Sequence, residues 1–186
     1  DRTLKNLKAK KKKMLGELYD FPKETMSIGR LDEDSEGLLL LSTDGKMSFA
    51  VLSTSVEKEY YVQVDGLITN EAIEALQLGV EIGIQGKKYT TQPCKAQKIE
   101  PPTLPERAKK IRDERHGPTS WISITITEGK YRQVKKMTAA VGFPTLRLVR
   151  YRVDQMTIEN MQAGEVEEVT KTLNAHFPEV AQAHEQ

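Results

Sequence analysis

A chain of 186 residues carrying 28 Lys and Arg against 27 Asp and Glu, net charge +1, is long enough to bury a core without staples. Its one cysteine, Cys94, excludes an internal disulfide and points to a reducing compartment, while His116, His176 and His184 are too scattered for a local metal motif. No apolar run approaches the roughly 18 residues of a membrane span and no secretory segment follows the basic start, so the expectation is a soluble cytoplasmic protein.

The near-neutral total hides a segregation of charge. Residues 1–13 carry seven Lys or Arg against Asp1, and residues 130–153 carry seven more with no acid. Residues 154–186 carry seven acids and one base, Lys171. A basic run taken alone is equally compatible with a solvated face. The second run, however, interleaves its cations with Tyr131, Phe143 and Tyr151, the mixture an RNA phosphate track uses.

In chain order, residues 38–41 are four leucines that read as a strand buried on both faces, and Asp44-Gly45 is a turn that caps a helix over 44–52. Upstream, Gly29 and Gly37 free the backbone of a loop that presents Arg30 and Asp32 at the end of a rigid element. Residues 58–65 alternate as a strand. Thr69 or Asn70 caps the next helix, Ile73 and Leu76 share its inner face, and Gly79 ends it. Strands follow over 80–84 and 88–99. Residues 100–118, with four prolines and dense mixed charge, read as a mobile surface loop. A strand over 121–127 turns at Glu128-Gly129 into a helix over 133–141, closed by Gly142, and 145–153 returns as a strand. The acidic tail, 172–186, contributes a short helix or nothing. Irregular mixing of strands and helices favours an α+β layout in a single domain of two halves sharing one cleft.

The string GRLDEDSEGLLLLSTDG, Gly29 to Gly45, resembles the active-site motif of pseudouridine synthases, in particular the RsuA branch. KEYYVQV, Lys58 to Val64, and EGKYRQVKKM, Glu128 to Met137, resemble the second and third motifs of the family, in the expected order. The runs PTSW, at Pro118 to Trp121, and VGFPTLRLVRY, Val141 to Tyr151, are most similar to RluE-type enzymes of the large ribosomal subunit. The resemblance implies the pseudouridine synthase fold, a bent and mainly antiparallel mixed sheet flanked by helices, with a central catalytic cleft. It also implies a ribosomal RNA substrate, with 23S rRNA favoured, no cofactor or metal, and a monomer. The Asn-Lys-Pro strand of the family and the S4-like domain of some relatives are not found in this sequence.

The resemblance assigns Asp32 as the catalytic carboxylate, which attacks the sugar carbon or promotes departure of the base. An aspartate confined in a closed pocket stays ionised only with a cation beside it, and Lys135 of the third motif matches that partner. The ordinary reading of Asp32 is a turn carboxylate capping a local amide, a job better suited to Asp34. Tyr60 matches the active-site tyrosine, whose ring stacks on uracil and whose hydroxyl handles the C5 proton. In a regular strand Tyr61 faces the other way and serves as its control. Arg30 is implied to enter the space left by a flipped nucleotide, and Lys58 stands two residues before Tyr60. Val134 and Leu148 correspond to apolar pocket positions, though core packing explains them equally. Arg132, Lys136, Arg147 and Arg150 are taken as contacts to the RNA backbone. The competing class is a non-catalytic RNA-binding or ribosome-assembly module on the same fold. A metal-dependent nuclease is disfavoured because no tight carboxylate cluster with a histidine appears.

Overall fold

The computed structural model describes residues 14–53, 55–107, 110–112 and 114–182. The basic run 1–13 and the last residues of the acidic tail lie outside the described residues. After a 3-10 turn at Leu15–Glu17 come β1 (Met26–Ile28), β2 (Glu36–Gly37), β3 (Leu40–Ser42) and α1 (Gly45–Val51). Then follow β4 (Lys58–Asp65), α2 (Asn70–Leu78), β5 (Glu81–Ile84), β6 (Lys87–Thr90) and β7 (Lys95–Ile99). The chain continues through β8 (Thr119–Ile126), α3 (Gln133–Ala140), β9 (Thr145–Val153), β10 (Met156–Thr157), α4 (Thr170–His176) and α5 (Pro178–Gln182).

The main sheet runs β10-β9-β4-β8-β7, antiparallel along that path, with β2 added in parallel to β9. β4 is central because its alternation supplies an apolar face to both neighbours: Val62 and Val64 are fully buried against Ile122 and Ile124 of β8. Helices α2 and α3 close that face with Ile73, Leu76, Val134 and Met137. Thr69 Oγ1 caps α2 by accepting from Ala72 N at 3.2 Å, and Gly79 ends it. A second core gathers Ile28 and Leu40 of the small β1–β3 sheet, Met47 and Val51 of α1, Val153 of β9, and Leu173, Phe177 and Val180 from the end of the chain. The expected α+β layout is therefore observed, and β9 contributes to both hydrophobic clusters.

Three expectations are corrected. The leucine run is not one strand buried on both faces: only Leu40 is buried, and β3 leaves the main sheet to pair with β1. The strand expected over 88–99 is broken, because Thr91 N donates to Val80 O and Cys94 N to Gln77 O, tying the intervening backbone to the end of α2. The chain forms two helices over Thr170–His176 and Pro178–Gln182, and Leu173, Phe177 and Val180 from this end complete the second core while Glu179 stays exposed.

Candidate active site

The loop from Gly29 to Leu38 lies against β9 through backbone bonds that only glycine permits. Gly37 has φ +112, and a Cβ there would stand 2.2 Å from Arg150 O. This contact seats Gly37 opposite Arg150 in parallel register, and Leu38 N donates to Arg150 O at 2.8 Å. Arg150 Nε returns a bond to Leu38 O at 2.8 Å. Since β4 pairs Tyr60 with Arg150, the register runs Tyr60, Arg150, Gly37 across three adjacent strands, about 10 Å in all. Tyr60 packs on the first core together with Val62 and Val64, whereas Tyr61 stacks on Tyr151 at 4.3 Å between ring centroids.

Within the loop, Ser35 N bonds Asp32 O at 2.9 Å, and this turn sets the Asp32 and Asp34 side chains side by side. They meet two cations from the start of α3. Arg132 Nη1 lies 3.4 Å from Asp32 Oδ2, and Lys135 Nζ lies 3.6 Å from the same oxygen and 2.5 Å from Asp34 Oδ1. Lys135 is the more enclosed cation, its side chain only 13% exposed, while Asp32 keeps 26% exposure and so remains open to a ligand. The Lys135 hydrogen bond holds the Asp34 carboxyl below the usual carboxylate range, and the charge of Arg132 adds to it. Asp34 is thus drawn into the charged cluster while its carboxyl also takes a local backbone hydrogen bond, from its own amide.

The cations arrive there because the entry to α3 is fixed from below. Arg132, at the N-cap, takes the left-handed conformation with φ 50 and ψ 33, strain of the kind found at functional sites. Gln133 next to it is buried; its Nε2 donates to Glu128 Oε1 at 2.9 Å and its Oε1 accepts from Lys130 N at 3.1 Å. Glu128, itself 6% exposed, also accepts from Gln92 N and from the Tyr89 hydroxyl. Sequence reading took Glu128-Gly129 as a turn only; a Glu five residues before a Gln inside the third motif is the signal that was available.

Several cations expected to contact RNA are engaged with groups of the protein itself. Arg147 grips Glu36 through Nε and Nη2, each at 2.9 Å, and also donates to Pro105 O. Arg150 is 6% exposed, with its Nε on Leu38 O. Lys58 is also buried, its Nζ donating to Val56 O and Thr127 O, and burial pushes the ammonium pKa down with the Arg150 charge adding. Val134 and Leu148 are buried in the first core. Arg30, by contrast, is exposed two residues before Asp32 and makes no ion pair with any described residue. Lys136 lies over the ring of Tyr131. The described part of the 100–118 segment is tied to the same loop: Arg107 Nη2 donates to Asp34 O at 3.0 Å and its Nε lies 3.4 Å from Glu36, while Arg112 pairs with Asp65.

A paired aspartate loop facing a basic helix entry, on this fold, can be compared with known proteins. The RNA pseudouridylate synthase family model matches residues 3–140. The chain belongs to this family. It is 43% identical over 150 residues to the ribosomal large subunit pseudouridine synthase E of Vibrio vulnificus, covering 80% of this chain and 62% of that protein. It is 38% identical to the enzyme of the same name from Xanthomonas campestris, covering 79% and 78% respectively. The chain thus spans about three fifths of the length of the Vibrio relative. A crystal structure of a pseudouridylate synthase superposes with a TM-score of 0.66 at 29% identity, covering 86% of this chain and 63% of the other. A Cbf5-Nop10-Gar1 complex, at 12% identity and a TM-score of 0.53, shares the fold alone.

Proposed function

We propose that this chain isomerises a uridine to pseudouridine in large-subunit ribosomal RNA, with Asp32 as the catalytic carboxylate. The observation that carries the reading is the pair of cations, Arg132 and Lys135, within 3.4 Å and 3.6 Å of one Asp32 oxygen. They offset the charge of an anion that would otherwise repel an RNA phosphate. The family reaction breaks the bond between N1 of uracil and C1′ of ribose, turns the base, and joins C5 to C1′. The proton on C5 leaves for solvent and N1 is protonated, so atoms and charge balance with no redox change. Asp32 meets the ribose face, and Tyr60 supplies the ring beneath the detached base. Arg30 occupies the gap in the RNA once the nucleotide is flipped, a step that costs a few kcal/mol for a paired base.

Release of tritium from C5-labelled 23S rRNA, isolated from cells lacking the gene, tests this directly. The full chain releases tritium at one uridine, which mapping then locates, and Asp32→Asn lowers the rate by about 10²–10⁴-fold. Equal release from both proteins removes Asp32 from the chemistry. Tight binding with no release from either protein establishes the non-catalytic module instead.

A further inference from the structure

Tyr131 is the residue next to Arg132, whose guanidinium reaches Asp32, yet it is 63% exposed. An aromatic left this open contributes little to a core, and here it is mounted. Lys136 Nζ lies 5.2 Å from the ring centroid, and the same Nζ donates to Gly83 O of β5 at 2.7 Å. The β5–β6 hairpin that supplies Gly83 turns through Gln85 and Gly86, both at positive φ (49 and 75), as a tight two-residue connection demands. The hairpin is fastened to the α3 entry a second time, by Tyr89 with Lys130 over its ring at 5.1 Å. Lys87 and Lys88 follow the turn and are exposed; the pairing of Lys88 with Glu81 at 3.5 Å is a solvent-exposed contact of small worth. Beside the catalytic cluster there is therefore an exposed ring with one cation, Lys136, against it and further cations on the adjoining hairpin. The segment 130–153 that contains the ring has no acidic residue.

We propose that Tyr131 is a stacking platform for a base flanking the reacting uridine, with a phosphate of the same RNA strand against Lys87, which shares the Tyr89 face of β6. The inference rests on the function proposed above and names the surface that selects and positions its substrate. Single-stranded nucleic acid is held by such a combination, aromatic rings taking the bases and a basic track taking the backbone. A ring adjacent in sequence to an active-site cation reads a neighbour of the flipped nucleotide, because the reacting base itself occupies the space at Asp32. The platform acts on binding of the ground state and the transition state alike, so its loss raises KM and leaves kcat nearly unchanged.

The test uses the full chain and a short synthetic RNA spanning the mapped uridine, with a fluorescent adenine analogue placed in turn on each side of it. Wild-type protein and Tyr131→Phe quench the analogue on one side. Tyr131→Ala loses the quench, binds at least about fivefold more weakly and shows a matching rise in KM at unchanged kcat. Lys87→Ala keeps the quench but lowers the salt slope of binding by about 0.7. Any result in which the Phe and Ala variants behave alike overturns the proposal, and so does a Lys87→Ala slope equal to that of wild type. Absence of tritium release from the wild-type protein is a failure of the proposed function, read separately from these comparisons.

Discussion

The two faces of β4 are built on opposite principles. On the face of Glu59, Tyr61 and Gln63, polar groups are answered by neighbours: Glu59 accepts from Ser123 Oγ at 2.7 Å and pairs with Arg152 at 3.2 Å, Gln63 bonds Thr119, and Tyr61 stacks on Tyr151. On the face of Lys58 and Tyr60, the buried cations Lys58 and Arg150 meet only carbonyl oxygens among the described residues. A structural surface neutralises its charges, since a buried ion without a counter-ion destabilises the fold. Leaving two such cations beside the strand that carries Tyr60 raises the positive potential on that side of β4. One strand thus separates a face of mutually paired polar groups from a face on which Lys58 and Tyr60 continue the row of the core residues Val62 and Val64.

The sharpest way to break this contrast is to exchange the two tyrosines for other residues. Tyr60→Ala should lower turnover by about 10²–10⁴-fold in the tritium assay, while Tyr61→Phe leaves it within a factor of two or so. The reverse ranking would mean that the catalytic face is the one now read as structural.

A second test concerns Arg147, whose side chain is 12% exposed and forked onto Glu36. Arg147→Ala should cost about 1.5–3 kcal/mol in urea unfolding and leave the salt slope of RNA binding unchanged. A lowered slope at undiminished stability would show that Arg147 contacts RNA and does not brace the fold.

The smallest expected effect is on pH. Burial, with Tyr151 next, raises the Tyr61 phenol pKa from 10.0 to about 12. Unfolding therefore releases a proton between pH 10 and 12, so stability from this group is intact below pH 10 and is lost as pH rises toward 12. Tyr61→Phe should flatten that part of the stability profile measured by thermal unfolding. An unchanged profile would show that the stacked pair is not desolvated.

Much of the scaffold was legible because its signals are local. The alternation of 58–65 matches β4 residue for residue, and Thr69 and Gly79 bound α2 where capping chemistry requires. The leucine run misled because four consecutive apolar residues do not say which partner strand each will find. The segment 100–118 was legible as irregular; its attachment through Arg107 to Asp34 and Glu36 was not, because a charged residue in a Pro-rich stretch looks the same whether solvated or paired.

The candidate site divides in the same way. Asp32, Tyr60 and Lys135 are recognisable from their motifs, since each motif is a short string whose residue types and spacing suffice. Lys135 stands 3.6 Å from Asp32, the partner its motif implied; that Arg132 and Asp34 join them is a different matter. Asp32 and Arg132 are separated by 100 positions, and Asp34 and Lys135 by 101. Their encounter depends on Gly37 seating one loop against Arg150 and on the left-handed turn at Arg132 aiming the other. Periodicity and capping follow from contacts a few residues apart, so the chain specifies them wherever it is read. The pairing of two carboxylates with two cations comes into being only when distant strands align, because the Coulomb energy depends on separation in space and not along the sequence.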